Sequence, residues 1–167
     1  VKSNAILNRK QQLSQACCSV LSSNDKVIII ISGDVAYSGK TAEYENAFDM
    51  IDYLQIELRK HLGYTPTVLM TPGNHDCDFT VSQSVRNKLL QKVDKTIEVD
   101  AEILACCTSV QQNFFDFVAL FSEYDPQQIC NLYEIEFRSN KILFQILNSS
   151  WMSQLHERPG ELVFPIK

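Results

Sequence analysis

Two apolar runs, "KVIIII" (26–31) and "TPTVLMT" (65–71), flank a single long helical pattern, and this arrangement restricts the fold more than any other feature of the chain. Both runs are short and rich in β-branched residues, which predicts strands buried on both faces. Between them Tyr44, Phe48, Ile51, Leu54, Leu58 and Leu62 recur at helical spacing. Thr41 stands as the expected N-cap, Glu43 and Glu45 suit the positive end of the helix dipole, and Gly63 is placed to stop the helix. A strand, a helix and a second strand in this order predict parallel pairing through a right-handed crossover. The loops 32–40 and 72–80 then leave the carboxyl ends of neighbouring strands, the edge where open α/β sheets hold their ligands.

The remaining segments fit around this unit. Residues 5–23 predict an amphipathic helix, and 82–125 a mostly helical stretch with a softer patch near 94–100. We expect 82–125 to be a helical insert or a cap over the cleft. "NLYEIEFR" (131–138) and "KILFQILN" (141–148) predict a hairpin turning at Ser139-Asn140. The expected fold class is therefore α/β, a layered fold with a buried mixed sheet and flanking helices. The 167 residues are expected to form a single domain.

Composition excludes several function classes. A net charge of −5 and a pI near 5.2 argue against nonspecific nucleic-acid binding, which needs a basic stripe to displace counterions. No run of eighteen apolar residues is present, so no membrane partner is expected. The six cysteines (17, 18, 77, 106, 107, 130) match neither a zinc-site spacing nor a disulfide framework. Reduced thiols in a cytoplasmic protein are the expectation, with the pairs 17–18 and 106–107 acting as small buried hydrophobes.

The chemistry is concentrated in the two loops. Three of the five glycines, Gly33, Gly39 and Gly73, lie there. Asp34 follows the first strand, where its two carboxylate oxygens can bridge divalent cations. Asn74 can offer an amide oxygen to one cation. His75 can face substrate as a proton donor, with Asp76 fixing its tautomer. Tyr37 and Ser38 share the Asp34 loop, and Cys77 and Asp78 are expected to shape the other one.

"GDVAYSG" (33–39) and "GNHD" (73–76) together resemble signature motifs of the calcineurin-like metallophosphoesterases. The resemblance is strong over about 26–80. It implies a hydrolase acting on a phosphomonoester or phosphodiester, in which two divalent ions (Mn, Fe, Zn or Ni) activate a hydroxide for in-line attack on phosphorus. It implies Asp34 and Asn74 as metal ligands, His75 as the group that protonates the leaving oxygen, and Asp76 as the acid that orients it. The partner it implies is a phosphorylated substrate of unspecified kind.

The sequence also departs from the family pattern. No Asp-x-His precedes residue 33, and no Gly-His-x-His occurs anywhere. Of the other two histidines, His61 is expected at a helix C-terminus and His156 in a solvated loop. Asp34 and Asn74 alone cannot fill two coordination shells of about four to six ligands each. The expectation is the central part of a longer phosphoesterase with fusion to further domains; the alternative is a non-catalytic binding or scaffolding module with a degenerate site. Asn148, Ser149 and Ser150 are expected along the same sheet edge, with Trp151 closing it.

Overall fold

The computed structural model describes residues 7–81, 83–92, 98–157 and 164. Helix α1 (Lys10–Val20) precedes strand β1 (Ile28–Ile31), the long helix α2 (Thr41–Leu62) and strand β2 (Thr67–Met70). Three short helices follow, α3 (Ser84–Leu90), α4 (Ala101–Thr108) and α5 (Gln112–Val118), and then strands β3 (Cys130–Phe137) and β4 (Asn140–Leu147). The α/β class and the strand–helix–strand unit stand as expected, with β1 and β2 parallel in the register Ile28↔Thr67 to Ile31↔Met70.

Helix α2 occupies 41–62 as the periodicity predicts. Tyr44, Ile51 and Leu58 are buried at seven-residue spacing, the stripe of a helix lying along one core face. Gly63 ends it at φ 80 and donates its N–H to the Arg59 carbonyl. The start is read differently in the structure: Lys40, not Thr41, is the N-cap. Glu43 reaches back to accept from the Lys40 N–H at 3.0 Å, so the cap comes from a carboxylate one turn in.

Strand β2 is the centre of the molecule. Val68, Leu69 and Met70 are each 0% exposed. Val68 and Met70 pack against Tyr44 and Ile51 of α2 and Phe114, Phe117 and Val118 of α5. Leu69 faces the opposite way, onto Ile135 and Ile146 of the hairpin. Burying side chains of this size stabilises the fold by about 1.5–3 kcal/mol each, so β2 anchors both layers. By contrast, β1 is not buried on both faces: Ile30 is 56% exposed. Ile29 and Ile31 pack against the main core cluster, while Ile30 faces the other way and stays half open.

Parallel and antiparallel pairing are divided between two ladders, β1–β2 and β3–β4. Side chains join them, with the Thr71 hydroxyl donating to the Leu147 carbonyl at 2.7 Å. The hairpin pairs Phe137 with Asn140, so its turn is Arg138-Ser139, one residue earlier than expected, with Arg138 at φ 57. The stretch 82–125 is more than an insert or cap, because α5 supplies Phe114, Phe115, Phe117 and Val118 to the main core. Its middle helices build a second cluster of Leu90, Leu104 and Cys107 around Trp151 and Met152. Most of the soft patch and most of the tail beyond Glu157 lie outside the described residues.

Candidate active site

The loops after β1 and β2 meet backbone to backbone. Gly33 sits at φ 110, and a Cβ there would come within 2.9 Å of the Gly73 nitrogen. Across the contact, a Cβ on Gly73 would meet Asp34 Oδ1 at 2.1 Å. Neither position has room for a side chain, so the glycines allow the loops to close on one another. Asp34 itself lies at φ 56, a left-handed conformation that aspartate tolerates better than most residues. This turn brings its carboxylate back over the second loop, where Oδ1 accepts the His75 N–H at 3.2 Å.

Asn74, His75 and Asp76 form a single 3-10 turn. Such a turn has three residues per revolution, so adjacent side chains diverge by about 120°. Asn74 and His75 accordingly face solvent, and Asp76 points inward at 0% exposure. Asp76 is therefore not the partner of the His75 ring, contrary to the sequence expectation. Its Oδ2 accepts from the N–H groups of Gly73 (2.9 Å) and Val35 (3.3 Å). Its Oδ1 accepts from the Ala36 N–H (2.9 Å) and the Tyr44 hydroxyl (3.0 Å). One carboxylate thus ties both loops to α2. Burial raises the Asp76 carboxyl above the usual aspartate range, against the opposing pull of these donors. The Tyr44 hydroxyl is also raised, by burial and then by the neighbouring Asp76 charge.

The His75 ring is oriented by the other loop. Its Nδ1 lies 2.8 Å from the Tyr37 carbonyl. A carbonyl only accepts, so Nδ1 carries a proton and Nε2 is left to face a ligand. The Tyr37 ring stacks on His75 with centroids 5.4 Å apart and planes 23° apart. Beside them Lys40 pairs with Asp78 at 2.7 Å and also bonds the Thr80 hydroxyl. Asp78 and its neighbour Cys77 are both buried, and burial pushes the Cys77 thiol up to about 12.

A second polar group supports the loops from beneath. Asn148 and Ser150 are 2% and 4% exposed, and Trp151 is fully buried in the α3–α4 cluster. They buttress the edge instead of lining or closing it. Ser150 Oγ donates to the Pro72 carbonyl at 2.9 Å, while Gln111 Nε2 donates to Ser150 Oγ at 2.9 Å. Asn148 Nδ2 donates to Gln111 Oε1 at 2.8 Å, which closes the group. Farther along, the buried Arg86 donates through Nε and Nη2 to the carbonyls of Cys107 and Ser153, each at 2.6 Å. Sequence reasoning missed Tyr44, Gln111 and Arg86. Tyr44 read as part of an apolar stripe, and nothing in the pattern separates Gln111 or Arg86 from solvent-facing helix residues.

The other histidines stand apart from this cluster. His61 Nε2 contacts the Leu21 carbonyl at 2.9 Å, bridging the ends of α2 and α1, and His156 is an exposed loop residue. All six cysteines are free thiols, but Cys107 is the one fully buried member of the two adjacent pairs. Among the described residues no group of three or more His, Cys, Asp and Glu side chains forms a candidate metal site. Asp34 and Asn74 fit as two exposed oxygen donors on one edge, and they do not by themselves fit a complete pair of divalent-ion shells. No described helix is long and apolar enough to cross a membrane.

A family model described as calcineurin-like phosphoesterase matches residues 5–162. Neither the curated proteins nor the solved structures gave a match.

Proposed function

The chain belongs to the calcineurin-like phosphoesterases, and from that membership we propose that it is a metal-dependent hydrolase of phosphate esters. The observation that carries the proposal is the convergence of Asp34, Asn74 and His75 on one exposed edge, with the His75 N–H held by Asp34 Oδ1 at 3.2 Å. In this reading Asp34 and Asn74 donate oxygen to divalent ions (Mn, Fe, Zn or Ni), and the further donors come from outside the described residues. Bound there, such ions supply Lewis-acid activation of water and neutralise phosphoryl charge. With both ring nitrogens protonated, His75 gives a proton from Nε2 to the departing oxygen while Nδ1 stays held by the Tyr37 carbonyl. The six free thiols fit a cytoplasmic setting, which is part of the proposal.

A second reading, a non-catalytic binding module, is favoured by one observation: two donors are fewer than a working dinuclear site requires. One experiment separates the two. The full-length protein is assayed with p-nitrophenyl phosphate and bis(p-nitrophenyl) phosphate, with and without Mn²⁺, beside Asp34→Ala and His75→Ala. Hydrolysis should need Mn²⁺ and vanish in Asp34→Ala. His75→Ala should retain Mn²⁺ and lose about 10²–10⁴-fold in turnover, the range for a general acid. Full activity in Asp34→Ala overturns the site, and an inactive wild type with Mn²⁺ supports the module.

A further inference from the structure

A cleft of about 340 Å³ opens beside His75, within the size range of small-molecule sites. Three loops build it: Tyr37 and Lys40 come from the loop after β1, Asn74, His75 and Phe79 from the loop after β2, and Leu155 from the segment after β4. Because His75 and Asn74 are in its wall, a group lodged in the cleft is continuous with whatever His75 protonates.

The lining determines what suits it. Tyr37 is 80% exposed and Leu155 66% exposed, so two large apolar side chains stand open to water around one concavity. Exposed apolar surface gathered at a cleft marks a binding site more often than a scattered surface residue does. Tyr37 stands at a shallow angle to the His75 ring, and both add aromatic surface to the cleft wall. Charge points the same way. Lys40 is the one lysine or arginine among the described lining residues, and its ammonium is already paired with Asp78 at 2.7 Å. No uncommitted lysine or arginine is left there to attract a second phosphate or a carboxylate.

We propose that this cleft holds the leaving group of the ester, and that it selects a planar, uncharged aryl alcohol. The inference rests on the phosphoesterase reading and deepens it by assigning the substrate class. In the step concerned, the bond between phosphorus and the ester oxygen breaks, and its electron pair stays on that oxygen. The oxygen takes the proton from His75, water supplies the hydroxyl group that phosphorus gains, the other proton of that water returns to His75, and the freed aromatic alcohol remains between Tyr37, Phe79 and Leu155.

The test uses the full-length protein with Mn²⁺ and three esters: phenyl phosphate, 2-naphthyl phosphate and 4-carboxyphenyl phosphate. The first two have leaving groups of similar acidity and differ mainly in apolar area. The expected kcat/KM favours naphthyl over phenyl by about tenfold or more, as added apolar contact in a pocket does, and disfavours the carboxylated ester. Leu155 is exposed, so Leu155→Ala and Leu155→Trp should both fold. Leu155→Ala should reduce the naphthyl preference severalfold, and Leu155→Trp should reverse it by filling the cleft. A naphthyl-to-phenyl ratio near one, or a ratio unchanged in both variants, overturns the cleft assignment and leaves the phosphoesterase standing. If neither ester is hydrolysed and bis(p-nitrophenyl) phosphate is also left intact, the phosphoesterase reading falls. Binding of 2-naphthol, followed by its fluorescence, then judges the cleft alone: binding abolished by Leu155→Trp supports it, and no binding overturns it.

Discussion

Replacing Asp76 tests the assembly of the site most directly. Four donors converge on its carboxylate: the amides of Gly73, Val35 and Ala36 and the Tyr44 hydroxyl. Alanine leaves the three amides without an acceptor in a largely buried place, and leaves the Tyr44 hydroxyl only the Asp76 main-chain carbonyl at 3.4 Å. Each orphaned buried donor costs about 1–3 kcal/mol, and relaxation of the loops absorbs part of the sum, so about 3–5 kcal/mol is expected for Asp76→Ala. Asparagine is nearly isosteric and keeps one oxygen. Placed at the Oδ2 position, that oxygen still serves Gly73 and Val35, while the new NH₂ donates to Tyr44, whose hydroxyl can turn to accept. Only the Ala36 amide is then orphaned, so Asp76→Asn should cost about 1–3 kcal/mol. Tyr44→Phe removes one donor and orphans none, so it should cost less than Asp76→Ala and about 1–2 kcal/mol. Urea titrations followed by circular dichroism give the three values as midpoint shifts at constant m. An Asp76→Ala protein within about 0.5 kcal/mol of wild type, the range of neutral surface substitutions, would refute the reasoning. So would equal losses in the alanine and asparagine variants.

Gly73→Ala should remove Mn²⁺-dependent hydrolysis and lower stability together, because the added Cβ lies 2.1 Å from Asp34 Oδ1 and 2.6 Å from the Asp34 nitrogen and must displace both. Wild-type kcat in this variant would mean that the contact is not needed for the chemistry. The Lys40–Asp78 pair predicts a dependence on acid. Burial works to raise the Asp78 carboxyl, but the hydrogen bonds from Lys40 and Thr80 outweigh it and hold the group below the usual range. With a folded value below the unfolded one of about 3.9, its stabilisation is complete above that pH and is lost as pH falls through the lowered value. Asp78→Asn should therefore be more destabilising at neutral pH than in strong acid; an equal cost at both would show that the pair contributes no pH-dependent stability.

Much of the architecture was legible because period and punctuation agreed. The stripe from Tyr44 to Leu62, closed by Gly63, could only be a helix, and flanking strands joined by such a helix are parallel. That topology alone brings the Asp34 loop beside the His75 loop, as the 3.2 Å bond between them bears out. The misreadings have physical causes. Asp76 follows His75 in sequence, which suggested that they pair, but a 3-10 turn sends adjacent side chains to opposite environments. Thr41 looked like a cap because hydroxyl residues commonly are, whereas Glu43 reaches the same N–H from within the helix. Asn148 and Ser150 looked like part of a ligand edge, because sequence does not tell a solvated amide from one satisfied by a buried Gln111, and Ser149 alone of that run is exposed. The depth of β1 was overstated because an apolar run reports what a strand tolerates, not how many neighbours cover it.

Arg86 gives the cleft an asymmetry. Its guanidinium is buried and bonds the main-chain carbonyls of Cys107 and Ser153, so the segment carrying Leu155 is latched to the helical layer next to its base. Arginine keeps its charge at any pH a protein survives, and carbonyls do not titrate, so acid has no means of releasing this latch. The opposite wall hangs on Lys40 and Asp78, whose bond fails when the carboxylate takes up a proton. Acid therefore weakens the tie on the Lys40 side of the cleft through its carboxylate, whereas the Arg86 contacts beneath the Leu155 segment include no carboxylate to protonate.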